Sequence, residues 1–249
     1  MSVSSVLTAD EVRVFYAEPQ TWLGDESRQQ ELFAWLSEEE RARCKRFVQK
    51  ADQLTYLAAH SLLRFALGLV GQQSPDHWEF KREPQGRPVL TNWAGEKTLW
   101  FSLTHTRGMV AAALAPFVHV GIDVESSGRS HDALLIAEEH FAPEETAWLR
   151  RLDPADLSNA FYSLWTRKEA ILKALGTGLH SPMSGVRFAL PQLELAHLDA
   201  AFGQPSRGWT VIELNLPKTA HKISVVARTP QGDPARVQAT RLNSPALGR

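Results

Sequence analysis

Cysteine is almost missing from this chain: Cys44 is the only one in 249 residues. One thiol excludes an internal disulfide and a Cys-x-x-Cys metal site, and such scarcity points to a reducing, cytoplasmic setting. Cys44 stands among Arg41, Arg43, Lys45 and Arg46, which suits a small helix residue better than a nucleophile. An excess of one charge is lacking as well. Lys and Arg number 27 against 28 Asp and Glu, a formal net charge of -1, so no global field points to nucleic acid or a membrane as partner. No apolar run approaches the ~20 residues of a membrane-spanning helix. The first residues lack a basic start followed by an apolar core, so no signal peptide is expected. There is no Gly-x-Gly-x-x-Gly turn, phosphate-binding Gly-x-x-x-x-Gly-Lys loop, Gly-x-Ser-x-Gly elbow or His-Glu-x-x-His zinc motif. Phosphate, if bound, must be held by side chains and a metal.

What is present is ordinary globular usage, 43% hydrophobic and 22% charged, enough chain for one large domain or two small ones. Glu11 to Glu18 alternates like a strand. Ser37-Glu38-Glu39-Glu40 has capping-box spacing and predicts a helix start. A second helix is expected from about Asp52 to Leu69, with Leu54, Leu57, Ala58, Leu62, Phe65 and Leu69 on one broad face and Gly71 at its end. Strands are expected at Trp78 to Lys81, Leu99 to Thr104, Met109 to Leu114 and Val118 to Val124. Pro143 and Pro154 each open a helix, the second running to Leu175 and stopping at Gly176. Late strands follow near Val186–Leu190, Trp209–Leu214 and Ile223–Ala227. The polar stretch from Thr229 reads as a mobile tail. The apolar octets Ser61–Gly68 and Glu169–Gly176 resemble each other and hint at two similar halves meeting near Pro116, with a site between them.

Four short segments can carry chemistry. In Val120-Gly121-Ile122-Asp123-Val124-Glu125, residues two apart share a strand face, so Asp123 and Glu125 present two carboxylates while Ile122 and Val124 face a core. Two such carboxylates favour a hard cation, Mg²⁺ or Mn²⁺, between them; a strand running out into the polar turn at Ser126-Ser127-Gly128 accounts for them equally well. Trp165, Glu169 and Lys173 share one helix face, an arrangement that a plain surface ion pair also produces. His105 ends an apolar strand between Thr104 and Thr106, with Arg107 behind it, a group of donors suited to phosphate oxygens. Arg87 projects from the stiff turn Gly86-Arg87-Pro88 and could clamp a phosphate.

The ordered set Gly86-Arg87-Pro88, Phe101-x-x-Thr104-His105-Thr106, Gly121-Ile122-Asp123-Val124-Glu125 and Trp165-x-x-Lys168-Glu169-Ala170-x-x-Lys173 closely resembles the Sfp-type 4′-phosphopantetheinyl transferases. The Ser37 to Phe47 segment and the Ala59-His60-x-Leu62-Leu63-Arg64 helix resemble them too, and the likeness runs from about Val12 to Leu190. It implies an α+β fold of two similar halves, each a small antiparallel sheet on helices: residues 1–116, and 117–230 with the metal site, followed by a flexible tail at 231–249. Coenzyme A would lie between the halves as co-substrate. Mg²⁺ would sit on Asp123, Glu125 and Glu169. His105 and Lys173 would touch the phosphates, and Arg87, Arg43 and Thr104 would hold the nucleotide end. His105, Lys168 or Lys173 would offset charge on the phosphoryl oxygens. Glu169 is the first choice for the base that takes the proton of the carrier serine, with a hydroxide on the metal as the competing choice.

The chain departs from the family in places. Thr104-His105-Thr106 replaces the frequent Ser-His-Ser, Gly86-Arg87-Pro88 replaces Gly-Lys-Pro, and Glu40 stands where a basic residue often serves the nucleotide, leaving that contact to Arg43. The implied partners are apo acyl or peptidyl carrier proteins, and a monomer is expected. Two rival readings are a different Mg²⁺ enzyme acting on a nucleotide or diphosphate, and a non-catalytic module that keeps the fold.

Overall fold

The computed structural model describes residues 7–95, 98–128, 132–177, 181–216 and 219–244. Its elements in chain order are β1 (Glu11–Ala17), α1 (Pro19–Leu23), α2 (Glu26–Ala34), α3 (Glu38–Lys45), α4 (Lys50–Gly71), β2 (Phe80–Arg82), β3 (Pro88–Leu90), β4 (Trp100–Thr106), β5 (Met109–Ala115), β6 (His119–Ser126), α5 (Ala133–His140), α6 (Pro143–Leu149), α7 (Pro154–Leu175), β7 (Val186–Ala189), β8 (Glu194–Leu198), β9 (Thr210–Glu213), β10 (His221–Arg228) and β11 (Arg236–Arg241). The order is α+β, and it runs through helices and antiparallel strands twice.

The two larger sheets have strand orders β11-β1-β5-β4 and β6-β10-β9, and β2-β3 and β7-β8 are two-stranded. Strand periodicity sorts their side chains into three cores. On β5, Val110, Ala112 and Leu114 face α4, together with Leu57, Leu62 and Phe65. The alternate residues Met109, Ala111 and Ala113 join Val12 and Val14 of β1 and meet Val120, Ile122, Val124, Ile223 and Val225 of the second sheet. Apolar faces of the two sheets therefore close on each other, with α4 outside one and α7 outside the other. This places Gly121, Asp123 and Glu125, which alternate with Val120, Ile122 and Val124, on the α7 side of β6.

Local sequence explains the two long helices. α7 carries proline in its first turn and ends on Gly176 at φ 72°, whose N–H returns to Leu172 and Lys173 carbonyls, both at 3.1 Å. α4 follows the capping box of α3, in which Ser37 Oγ accepts from Glu40 N at 3.2 Å and Glu40 Oε2 accepts from Ser37 N at 2.8 Å. α4 is the one helix among the described residues long and apolar enough to cross a membrane, with a mean hydropathy of 1.3 over its best stretch, and 67% of that stretch is buried inside the fold.

The expected flexible tail at 231–249 is corrected over part of its length. Residues Arg236–Arg241 form β11, a parallel neighbour of β1. Polar side chains hid this strand, but it completes the open edge of β1. Arg241 reaches Glu18 at 2.6 Å and Leu242 N reaches Tyr16 O at 2.8 Å. Residues 245–249 lie outside the described residues. Helices α1, α2 and α5 and strands β3 and β8 are further elements that periodicity did not mark.

Candidate active site

The two sheets meet at β4 and β6, where hydroxyls replace a backbone ladder. Ser102 Oγ accepts from Ile122 N at 3.2 Å, and Thr104 Oγ1 accepts from Val124 N at 3.3 Å. Ser102, Thr104 and Thr106 lie two apart on one face of β4, and each reaches β6; the Thr106 hydroxyl donates to Glu125 Oε2 at 3.4 Å. Helix α7 presses on the other side of β6. Only glycine permits this approach at position 121, because a Cβ there would stand 1.9 Å from the Ala170 carbonyl oxygen and 2.8 Å from Ala174 N.

That approach gathers Asp123, Glu125, Glu169 and Lys173. Lys173 Nζ lies 2.6 Å from Asp123 Oδ1 and 3.2 Å from Thr104 Oγ1. Asp123 and Glu169 are almost fully buried, 5% and 6% exposed. Burial first, and then the charge of Asp123, push Glu169 up to about 7; Lys173 pulls against this and Glu125 adds to it. The same leading causes push Glu125 up to about 6, partly offset by Lys173 and by hydrogen bonds from Thr106 and Trp165. Three carboxylates thus share one cation and feel one another.

The chemistry of this donor set fits a hard divalent ion. All the donors are carboxylate oxygens, and Asp123 Oδ2 is buried with no hydrogen-bond partner, an acceptor left open in a low-dielectric position. Among the described residues, however, no three His, Cys, Asp or Glu side chains are gathered closely enough to grip an ion as they stand. Lys173 holds Asp123 instead.

His105 stands at the exposed end of β4. Desolvation lowers its pKa first, followed by the nearby positive groups His60 of α4, Lys173 of α7 and Arg43 of α3. Arg43 and His60 line a cavity of about 540 Å³ with Glu40, Tyr56, Lys81, Arg82, Phe101 and Leu103. Glu40 is not a failed phosphate contact. Its carboxylate caps α3, pairs with the buried Arg64 at 2.7 Å and meets His60 Nδ1 at 2.8 Å. Although burial opposes it, these partners hold Glu40 down at about 2.

Three residues expected to contact the ligand have protein partners in this structure. Lys168 is fully buried, 2.7 Å from Glu145, and donates to the Met183 and Val186 carbonyls. Adjacent helix residues diverge by about 100°, so when Glu169 faces β6 its neighbour must face the far core. Burial lowers the Lys168 pKa and Glu145 opposes that shift. Thr104, assigned to the nucleotide, is spent on Asp123, Val124 and Lys173. Arg87 donates to the Val118 carbonyl at 2.5 Å and lies 4.7 Å over the Trp100 ring, and it is not among the residues lining the cavity beside Arg43. Sequence reasoning missed the roles of Ser102, Thr106 and Gly121. The alternation of small hydroxyls on β4 was the available signal.

Comparisons with known proteins agree with this arrangement. Residues 119–226 match the family described as the 4′-phosphopantetheinyl transferase superfamily, and residues 20–116 match the one described as 4′-phosphopantetheinyl transferase, N-terminal. The chain is 32% identical over 189 residues to the 4′-phosphopantetheinyl transferase HetI of Nostoc sp., covering 76% of this chain and 77% of that protein. It is 31% identical over 181 residues to a putative 4′-phosphopantetheinyl transferase of Synechocystis sp., covering 72% of each. Against the transferase Sfp of Bacillus subtilis it is 27% identical over 161 residues, covering 65% of this chain and 69% of that one. The chain therefore belongs to the 4′-phosphopantetheinyl transferase superfamily, enzymes that transfer the phosphopantetheinyl group to carrier proteins.

Proposed function

We propose that this protein transfers 4′-phosphopantetheine from coenzyme A to a serine of an apo acyl or peptidyl carrier protein, with release of adenosine 3′,5′-bisphosphate, and that it needs Mg²⁺. The observation that carries this reading is the cluster of buried Asp123 and Glu169 with half-buried Glu125 beside Lys173, at the junction of the two sheets and within electrostatic reach of His105. The two halves are taken as residues 1–116 and 117–230, acting as a cytoplasmic monomer.

In this reading Asp123, Glu125 and Glu169 hold Mg²⁺, which when bound would neutralise charge on the pyrophosphate of coenzyme A. Mn²⁺ meets the same donor chemistry. The serine hydroxyl attacks the β-phosphorus. A new P–O bond forms to the carrier, the P–O bond to the nucleotide breaks, and the serine proton passes to Glu169. In the metal-free protein this carboxyl stands at about 7; a bound divalent ion would lower that and keep it ionised, able to accept the proton. Lys173 offers an ammonium to the phosphate oxygens. With its pKa lowered by burial and by neighbouring positive charge, His105 offers a ring N–H to a phosphate oxygen. Arg43 and His60, on the wall of the neighbouring cavity, face the nucleotide end.

The test is intact mass after incubation with coenzyme A, Mg²⁺ and a panel of apo carriers. The expected result is the gain of one phosphopantetheine unit, lost in Asp123→Ala and in excess EDTA. No gain on any acyl or peptidyl carrier, with either Mg²⁺ or Mn²⁺, overturns the proposal.

A further inference from the structure

We propose that Lys173 is an exchangeable counter-ion: its ammonium occupies the cation position of the carboxylate cluster, and an arriving divalent ion displaces it toward the anionic substrate. The inference rests on the metal assignment made above and adds an order of events to it. Lys173 Nζ touches Asp123 Oδ1 at 2.6 Å and Thr104 Oγ1 at 3.2 Å. It is the only cation in contact with Asp123 among the described residues. The second Asp123 oxygen is buried and unpartnered, so the aspartate is half-committed. One ammonium cannot satisfy three carboxylates, yet while it sits on Asp123 no three acidic side chains close on a common point.

A divalent ion bound to Asp123 would stand within a few ångströms of Lys173 and repel it. The lysine can respond. Its side chain is 30% exposed, at the end of a flexible four-carbon stem in the last turn of α7. Asp123 and Glu169, almost fully buried, have less room and need only small adjustments once the ammonium has left. Metal binding alone is therefore weakened by the work of evicting Lys173, and the evicted ammonium becomes available to a phosphate oxygen. The metal then strengthens polyphosphate binding, and by linkage the polyphosphate strengthens metal binding by the same factor. A lysine that served only as a phosphate contact would leave the affinity for metal alone untouched.

The measurement is Mn²⁺ affinity of the isolated protein, read from the free-ion signal in electron paramagnetic resonance, without and with coenzyme A. Lys173→Met and Lys173→Ala, checked for folding by circular dichroism, are expected to bind Mn²⁺ alone about tenfold tighter than wild type, the scale of one partly buried ion pair. The mutual enhancement between Mn²⁺ and coenzyme A should shrink in both. In wild type, free of any folding concern, the Lys173 Cε resonance should shift on adding Mg²⁺ alone. Unchanged or weaker Mn²⁺ binding in both variants, with binding still abolished by Asp123→Asn, overturns the exchange and leaves the metal site standing. An unmoved Cε resonance at saturating Mg²⁺ overturns it too. Absence of Mn²⁺ binding in every protein, even with coenzyme A, overturns the metal assignment and the exchange together.

Discussion

The hydroxyl of Thr104 donates to Asp123 Oδ1 at 3.0 Å, across the seam between the two sheets. It also accepts from Val124 N at 3.3 Å and from Lys173 Nζ at 3.2 Å, so its one donor and two acceptor sites are all used. Thr104→Val keeps the shape and removes all three bonds. It should cost about 1–3 kcal/mol, since buried partners are left unpaired, and lower turnover or metal affinity roughly 10–100-fold, as loss of a group orienting a metal ligand does. Thr104→Ser restores the hydroxyl and should stay close to wild type in both. Equal turnover in Val and Ser variants would show that the hydroxyl does not position Asp123.

The carboxylate cluster makes a pH prediction whose sign is fixed. Glu125 at about 6 and Glu169 at about 7 stand above the ordinary 4.5 of an unfolded chain, so the metal-free fold binds protons more tightly than the unfolded chain does. This contribution to stability is fully present below about pH 4.5 and is lost as pH rises through 6 to 7. In EDTA, Tm should therefore carry a falling component between about pH 5 and 8. Mg²⁺ competes with these protons, so the Tm gain on adding it should be larger at pH 8 than at pH 6. A gain independent of pH would mean the ion binds elsewhere.

Lys168 and Glu145, both fully buried and 2.7 Å apart, give a prediction that separates architecture from ligand binding. Lys168→Met strands the Glu145 charge and should cost about 3–5 kcal/mol. Adding Glu145→Gln should recover more than half of that loss, measured by denaturant unfolding. The double variant, once folded, should bind coenzyme A as wild type does. A lasting loss of coenzyme A affinity in it would return Lys168 to the phosphate site.

The parts of this site that sequence made legible are those set by local periodicity. Asp123 and Glu125 share a face because a strand repeats every two residues, and Glu169 and Lys173 because a helix repeats near four. The apolar stripe of α4, the capping box at Ser37 and the stop at Gly176 are equally local. What escaped depends on partners distant in the chain. Glu40 meets Arg64 and His60 on α4, Lys168 meets Glu145 on α6, and Thr104 meets Asp123 across two sheets. A motif that holds Lys168 and Glu169 side by side cannot say which faces the metal and which the core until the helix is docked. β11 was hidden for a related reason: its ladder, and not an apolar face, holds it to β1.

Gly121 gives the last prediction, because it decides how near α7 can come to β6. Its φ is not in the left-handed region, so alanine meets no backbone penalty there and the whole effect of Gly121→Ala must be steric. The added Cβ would lie 1.9 Å from the Ala170 carbonyl oxygen, far inside contact distance, and both neighbours are backbone atoms of a fully packed helix. Relief requires α7 to move off the strand by about 1 Å or more. Overpacking of this kind costs about 1–3 kcal/mol and sometimes more. The chemical consequence should exceed the energetic one, because Asp123 sits on β6 while Glu169 and Lys173 ride on α7, and a misplacement near 1 Å can cost about 100-fold in rate. Gly121→Ala should therefore remain folded at low temperature with a reduced Tm, keep its far-ultraviolet circular dichroism, and lose roughly 100-fold in transfer to a carrier. Gly128→Ala, whose added Cβ would meet only Ser126 Oγ at 3.8 Å among the described residues, is the matching control and should change neither property. Wild-type Tm and transfer in Gly121→Ala would show that the close approach of α7 to β6 does not assemble this site.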